Sequence, residues 1–191
     1  FSPPPRPPPM LRSLVGSEMC IRDSIITMAK ALTNGAIPMG GVAVTDEIYN
    51  TVTDAAPEDA IEFFHGYTYS AHPAACAAGI ATQKIYQSEG LFERAAALED
   101  YFLDAVWTLQ DHPLVTDVRG IGLMAGVELV SDGVAGHRGV QMQKAMFWNG
   151  LHVKFTGDNA IIAPAFVAER KHVDEIVDKF RSSLDAALEA K

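Results

Sequence analysis

The chain has 191 residues, 48% apolar and 20% charged, which is enough to bury a core and excludes a disordered or collagen-like polypeptide. Its formal charge of −9 argues against a nucleic-acid surface or an anionic-membrane surface, since both require clustered Lys and Arg. Cys20 and Cys76 have no metal-ligand spacing and fit a reducing compartment, and no apolar run approaches the roughly 20 residues that span a bilayer, so a cytoplasmic protein is expected.

The first elements are of low complexity. Phe1 to Pro9 is a proline run, extended and unable to pack as helix or central strand. Glu18, Arg22 and Asp23 interrupt any apolar segment of a targeting peptide, and the Pro-x-x-Pro spacing is a common, weak match to an SH3-type ligand. Ser13 to Asp23 reads like translated sequencing adaptor, so residues 1–24 are expected to be a non-native or disordered leader.

From Ile25 the texture becomes globular. Ile25–Met28 and Gly41–Val44 predict short strands around a Gly-bounded loop, and Asp46–Val52 predicts a helix with Thr45 as its cap. Ala55–Gly66 is a loop. Pro73 suits the first turn of a helix reaching Ser88, whose alanines and Gly79 let another element approach closely. Leu91–Leu109 repeats apolar residues near a 3.6-residue period and ends at Asp111-His112-Pro113. Short strands follow at Val115–Arg119 and Leu123–Val130, with Gly120 and Gly122 as a bend. Val140–Trp148 is helical, Leu151–Phe155 and Ala160–Ala163 are strands, and Val173–Leu188 is an amphipathic helix. This order predicts a compact α+β end domain over residues 112–191.

Lys30 is the first chemical candidate, because an apolar strand delivers it into a small-residue loop with no adjacent carboxylate. A lysine that attacks a carbonyl must lose its proton, which burial or a neighbouring cation favours. Taken alone, such a lysine is a solvated end charge. Thr68, in Tyr67-Thr68-Tyr69-Ser70 ahead of the helix at Pro73, could serve an anion site or simply cap the helix. The six histidines show no pair at helical metal spacing, and no metal site is expected. Ser70 lacks a nucleophile elbow, Gly120-x-Gly122 is a fragment of a dinucleotide fingerprint ahead of a strand, and Cys76 sits among alanines as a small core residue.

Two blocks together carry a family resemblance. Ile25-Ile26-Thr27-Met28-Ala29-Lys30, continuing through Gly35 to Pro38-Met39-Gly40, is similar to the cofactor-lysine segment of class III pyridoxal-phosphate aminotransferases. Phe63 to Gly79, with His65-Gly66-Tyr67-Thr68-Tyr69 and Ser70-Ala71-His72-Pro73, resembles the segment that follows it, most closely in the omega-amino acid:pyruvate (beta-alanine:pyruvate) branch. The resemblance implies an α/β fold: the C-terminal portion of a fold-type I transferase, with residues 25–111 ending the large domain and 112–191 forming the small one. It implies that Lys30 forms the internal aldimine with pyridoxal 5′-phosphate and shuttles the substrate proton, and that Thr68 reaches the cofactor phosphate of a neighbouring subunit. The parent is then a homodimer or tetramer acting on an amino donor and a keto acid.

Lys154 stands where many relatives of that branch carry an arginine gripping the substrate carboxylate. A lysine there is a point charge instead of a planar fork, so an amine or diamine donor becomes thinkable; a solvated strand-edge lysine is the alternative. The family's acidic partner for the pyridine nitrogen, its Gly-Ser phosphate loop and its stacking aromatic lie upstream of the lysine, and none is identifiable here. Weak binding of pyridoxal phosphate by this chain alone is therefore expected, together with a tendency to associate. Two other readings are an aminomutase, which would need no external keto acceptor, and a non-catalytic interaction or dimerisation module.

Overall fold

The computed structural model describes residues 24–59 and 66–189. The proline-rich leader, Cys20 and the Phe63–His65 part of the second block lie outside the described residues. Two compact units divide the chain, one up to Ser88 and one from Glu89. Among the described residues no helix is long and apolar enough to cross a membrane.

In the first unit, β1 (Ile25–Ala29) and β2 (Gly40–Val44) form an antiparallel pair whose register sets Ala29 opposite Gly40. Both faces of this ribbon are open, with Ile26 50% and Val42 64% exposed. Helix α1 (Asp46–Asp54) starts as the sequence predicts, the Thr45 hydroxyl accepting from the Ile48 amide and two acidic residues occupying its first turn. Helix α2 (Pro73–Ser88) opens on Pro73 and buries Ala75, Gly79 and Tyr86, one stripe at helical spacing.

The second unit is a four-stranded antiparallel sheet in the order β3-β4-β6-β5, made of β3 (Val115–Ile121), β4 (Met124–Leu129), β5 (Lys154–Thr156) and β6 (Asn159–Ile162). Helices α3 (Leu91–Trp107), α4 (His137–Trp148) and α5 (Arg170–Glu189) supply Phe102, Val106, Met142, Met146, Val173, Phe180 and Leu184 to its core. These meet Val118, Ala125, Val127, Ala160 and Ile162 from the strands. The α3 helix and the 3-10 turn Thr108–Asp111 thus share this core, and the compact unit begins ahead of His112.

Local chemistry accounts for the departures from the expected elements. Gly120 is not a bend; it lies inside β3, where an added Cβ would sit 2.6 Å from Leu103 Cδ2 and 2.9 Å from the Met124 carbonyl oxygen. The chain turns at Gly122, with φ of 58°. Leu151 and Val153 are buried without being paired, so β5 starts only at Lys154. His112, 4% exposed, is a satisfied core histidine: Nδ1 accepts from the Leu114 amide, and Nε2 lies 3.2 Å from Asp185. His137, at the start of α4, approaches Asp132 at 2.6 Å, and this contact holds the Asp132 carboxyl below its ordinary range.

The β5–β6 turn is seated on the start of α4. The Asp158 carboxylate accepts from the amides of Gly139 at 2.9 Å and Gly136 at 3.3 Å, covering the helix's unsatisfied N-terminal donors. This contact leaves no room for a side chain at Gly139, whose added Cβ would fall 1.9 Å from the Gly157 carbonyl oxygen. Gly139→Ala should therefore destabilise the second unit by about 1–3 kcal/mol in urea unfolding, while Val140→Ala next to it, at a site 52% exposed, should cost far less.

Candidate active site

Lys30 follows the last residue of β1 and has a backbone φ of 57°, the left-handed region that a lysine enters only when its surroundings impose it. No β-carbon is absent here to relieve the contact with the following carbonyl, so the conformation costs about 1–2 kcal/mol. The loop beyond it offsets that cost through backbone and side-chain bonds. The Lys30 carbonyl accepts from the Thr33 amide at 3.3 Å, and the Thr33 carbonyl accepts from the Ala36 amide at 3.0 Å. Thr33, 2% exposed, donates its hydroxyl to the Ile37 carbonyl at 2.6 Å. Asn34 and Gly35 also have positive φ, which makes the turn tight enough to send the chain back into β2.

Helix α2 closes the other side of this loop. Gly79 has no side chain where an added Cβ would meet Met39 Sδ at 3.2 Å and the Leu32 carbonyl oxygen at 3.6 Å. Two turns along the same buried stripe, the Tyr86 hydroxyl donates to the Ala31 carbonyl at 2.9 Å. The sequence signals small residues on this helix but does not say which element they admit; the structure identifies the lysine loop.

Next to the loop lies an open cleft of about 820 Å³, lined by Ile37–Gly40 on one side and by Thr68, Ser70, His72 and Cys76 among others on the opposite side. Thr68 is exposed and belongs to a turn closed by the Ser70 amide on the Tyr67 carbonyl at 2.9 Å. The first helical bond of α2 runs from the Cys76 amide to the His72 carbonyl, which puts Thr68 several residues ahead of the helix and away from its cap position. Cys76 is half-buried and free, with one side toward this cleft.

The three candidates from the sequence are only partly brought together. Thr68 shares the cleft with the segment that leads out of the Lys30 loop, and Gly40, the register partner of Ala29, lines it as well. Lys30 itself is exposed and is not a lining residue of the cleft. Lys154 belongs to the second unit, exposed on the edge strand β5 opposite Ile161. Thr33 and Tyr86 are the site-building residues that sequence reasoning does not single out, whereas Gly79 is legible as a close-approach position without its partner. A hydroxyl in an otherwise apolar or small-residue stretch is the one signal that could have found Thr33.

Known proteins resemble this chain in sequence and in fold. A family profile described as Aminotransferase class-III matches residues 18–184. An omega-aminotransferase of Caulobacter vibrioides is 44% identical over 165 residues, and a beta-alanine–pyruvate aminotransferase of Pseudomonas aeruginosa is 36% identical over 167. Each alignment covers 86% of this chain but only 37% of the relative, so the chain spans well under half the length of the curated relatives it matches. The crystal structure of a thermostable (S)-enantioselective omega-transaminase from Thermomicrobium roseum superposes on 93% of this chain and 39% of its own, at 34% identity and a TM-score of 0.79. The fold is accordingly part of a fold-type I transaminase architecture.

The bonding of the Lys30 loop makes Thr33 a sensitive position. Thr33→Val keeps the shape and leaves the Ile37 carbonyl without its donor, which should cost about 1–3 kcal/mol locally. The expected readout is faster amide hydrogen exchange at Ala36, with the amides of β3, β4 and β6 unchanged.

Proposed function

From the premise that this chain belongs to the class III aminotransferases, we propose that it forms part of an enzyme that moves an amino group from an omega-amino acid or amine to a keto acid such as pyruvate. The observation that carries this reading is Lys30: a primary amine set at positive φ at a strand end, on a loop whose carbonyls are fixed one after another. Such strain on a residue with no local side-chain bond to stabilise it belongs with functional positions. The match to the family over both motif blocks supports the same residue.

Class III aminotransferases are pyridoxal-phosphate enzymes, and the described residues fit that cofactor at two places. Lys30 offers the amine, and the cleft beside its loop offers the Thr68 and Ser70 hydroxyls, donors of the kind a phosphate takes. When bound, pyridoxal phosphate supplies an electron sink for the carbon that loses its proton. Lys30 Nζ would hold the cofactor and, as a free amine, would take a proton from the substrate carbon and return it. Thr68 Oγ1 would donate to the phosphate of a cofactor held by a neighbouring subunit, which makes the enzyme a homodimer or a larger assembly; its place on this reading is the cytoplasm. Lys154 Nζ meets the donor carboxylate as a point charge.

Lys30 is exposed among the described residues, and covering it falls to the rest of the enzyme and to the neighbouring subunit. An aminomutase would turn over without an external acceptor, so dependence on pyruvate separates the two chemistries.

The test uses the complete polypeptide that carries this chain, loaded with pyridoxal phosphate and given beta-alanine and pyruvate; alanine should accumulate only with both substrates present. Lys30→Ala should lower kcat by about a hundredfold to ten-thousandfold while the protein stays folded. Absence of alanine with any omega-amino acid, amine or diamine donor would remove the proposal. Lys154→Arg should restore bidentate recognition, lowering KM for beta-alanine by about tenfold relative to a diamine that has no carboxylate.

A further inference from the structure

We propose that Tyr86 is a positioning residue for Lys30, holding the amine where the reaction requires it without touching substrate or cofactor. This inference rests on the reading of Lys30 as the cofactor lysine. It begins from a mechanical problem. Lys30 occupies a left-handed backbone conformation that a lysine does not choose, and its side chain is exposed, so among the described residues no packing around the side chain keeps it there. The backbone on either side must therefore fix its φ.

On the N-terminal side the ribbon does this, since Ala29 is paired with Gly40 at the end of the β1–β2 ladder. On the C-terminal side the bonds from the Thr33 amide to the Lys30 carbonyl, from the Ala36 amide to the Thr33 carbonyl and from the Thr33 hydroxyl to the Ile37 carbonyl are all internal to the loop. Internal bonds keep a loop's shape but let it swing as a body. The bond from the Tyr86 hydroxyl to the Ala31 carbonyl is different: it spans 55 positions of sequence and ties the residue directly after Lys30 to a sixteen-residue helix. Tyr86 is 8% exposed, so its ring is fixed by packing and the hydroxyl is a stationary donor. Gly79, on the same stripe of α2, supplies the close approach that lets the hydroxyl reach.

Lys30 is thus held between two anchors, the strand ladder before it and Tyr86 after it. Loss of the hydroxyl alone frees the second anchor, and the left-handed turn can relax at a gain of its own strain energy. The amine would then sample positions other than the one this turn sets. Tyr86→Phe is the suitable variant, because it keeps the buried ring and removes the hydroxyl that donates to the Ala31 carbonyl.

The experiment takes the complete polypeptide that carries this chain and its Tyr86→Phe variant, exposes both to pyridoxal phosphate, reduces with borohydride and maps each modified lysine by peptide mass. Lys144, exposed on α4 in the other unit, is the internal reference. Hydrogen exchange at the Thr33 and Ala36 amides is followed in the absence of the aldehyde. The ratio of modification at Lys30 to that at Lys144 should fall about fivefold in the variant, with faster exchange at Thr33 and Ala36 and unchanged exchange along α2. A merely structural tyrosine would speed the exchange of α2 as a whole. Unchanged exchange at Thr33 and Ala36 in Tyr86→Phe overturns the inference. If the complete wild-type polypeptide shows no preference for Lys30 over Lys144, the cofactor-lysine reading fails instead, and a positioning role falls with it even where the exchange confirms the anchor.

Discussion

The first unit is organised around one backbone constraint: Lys30 must be held at positive φ between a strand and a tight loop. A left-handed lysine has no intrinsic stability to offer, unlike the glycine or asparagine that usually occupies such a position. Its persistence depends on the buried Thr33 hydroxyl, the bare backbone at Gly79 and the hydroxyl of Tyr86. Much of this unit is otherwise open, since strand residues on both faces of the ribbon are exposed.

The second unit meets a different demand with the same economy of means. A β-hairpin turn is locked to a helix start by one carboxylate, with Asp158 accepting from two amides across a contact that only a glycine at 139 permits. Lys154 sits two residues before the turn at Thr156-Gly157-Asp158, on an edge strand whose position that carboxylate fixes. Side chains on an edge strand are free to face outward. A lysine there can meet a ligand or only water, and the edge position by itself fits both.

Wherever the signal was local, the sequence was a good guide. Thr45 followed by two acidic residues, Pro73 opening a helix, and Gly90 between two helices all act within a turn or two, and each element begins where these residues say. The apolar period of α3 and α5 likewise reports the faces that meet the sheet. Contacts made across long separations left no such trace. Nothing near Tyr86 in sequence points to Ala31, and nothing near Asp158 points to Gly139. Gly120 shows the reverse failure, because a glycine beside another glycine suggests a bend while its real work is to admit Leu103 against a strand. For the candidate site, Lys30 and Thr68 were legible as motif members, whereas the residues that hold the lysine loop became visible only with the coordinates.

The central claim is that Lys30 is the amine through which the enzyme holds its cofactor. Peptide mass mapping of the complete polypeptide, purified with pyridoxal phosphate and reduced with borohydride, tests it most directly. The account predicts a single pyridoxyl group on the peptide that contains Lys30. A pyridoxyl group on Lys84, Lys144 or Lys154 with Lys30 unmodified would contradict it.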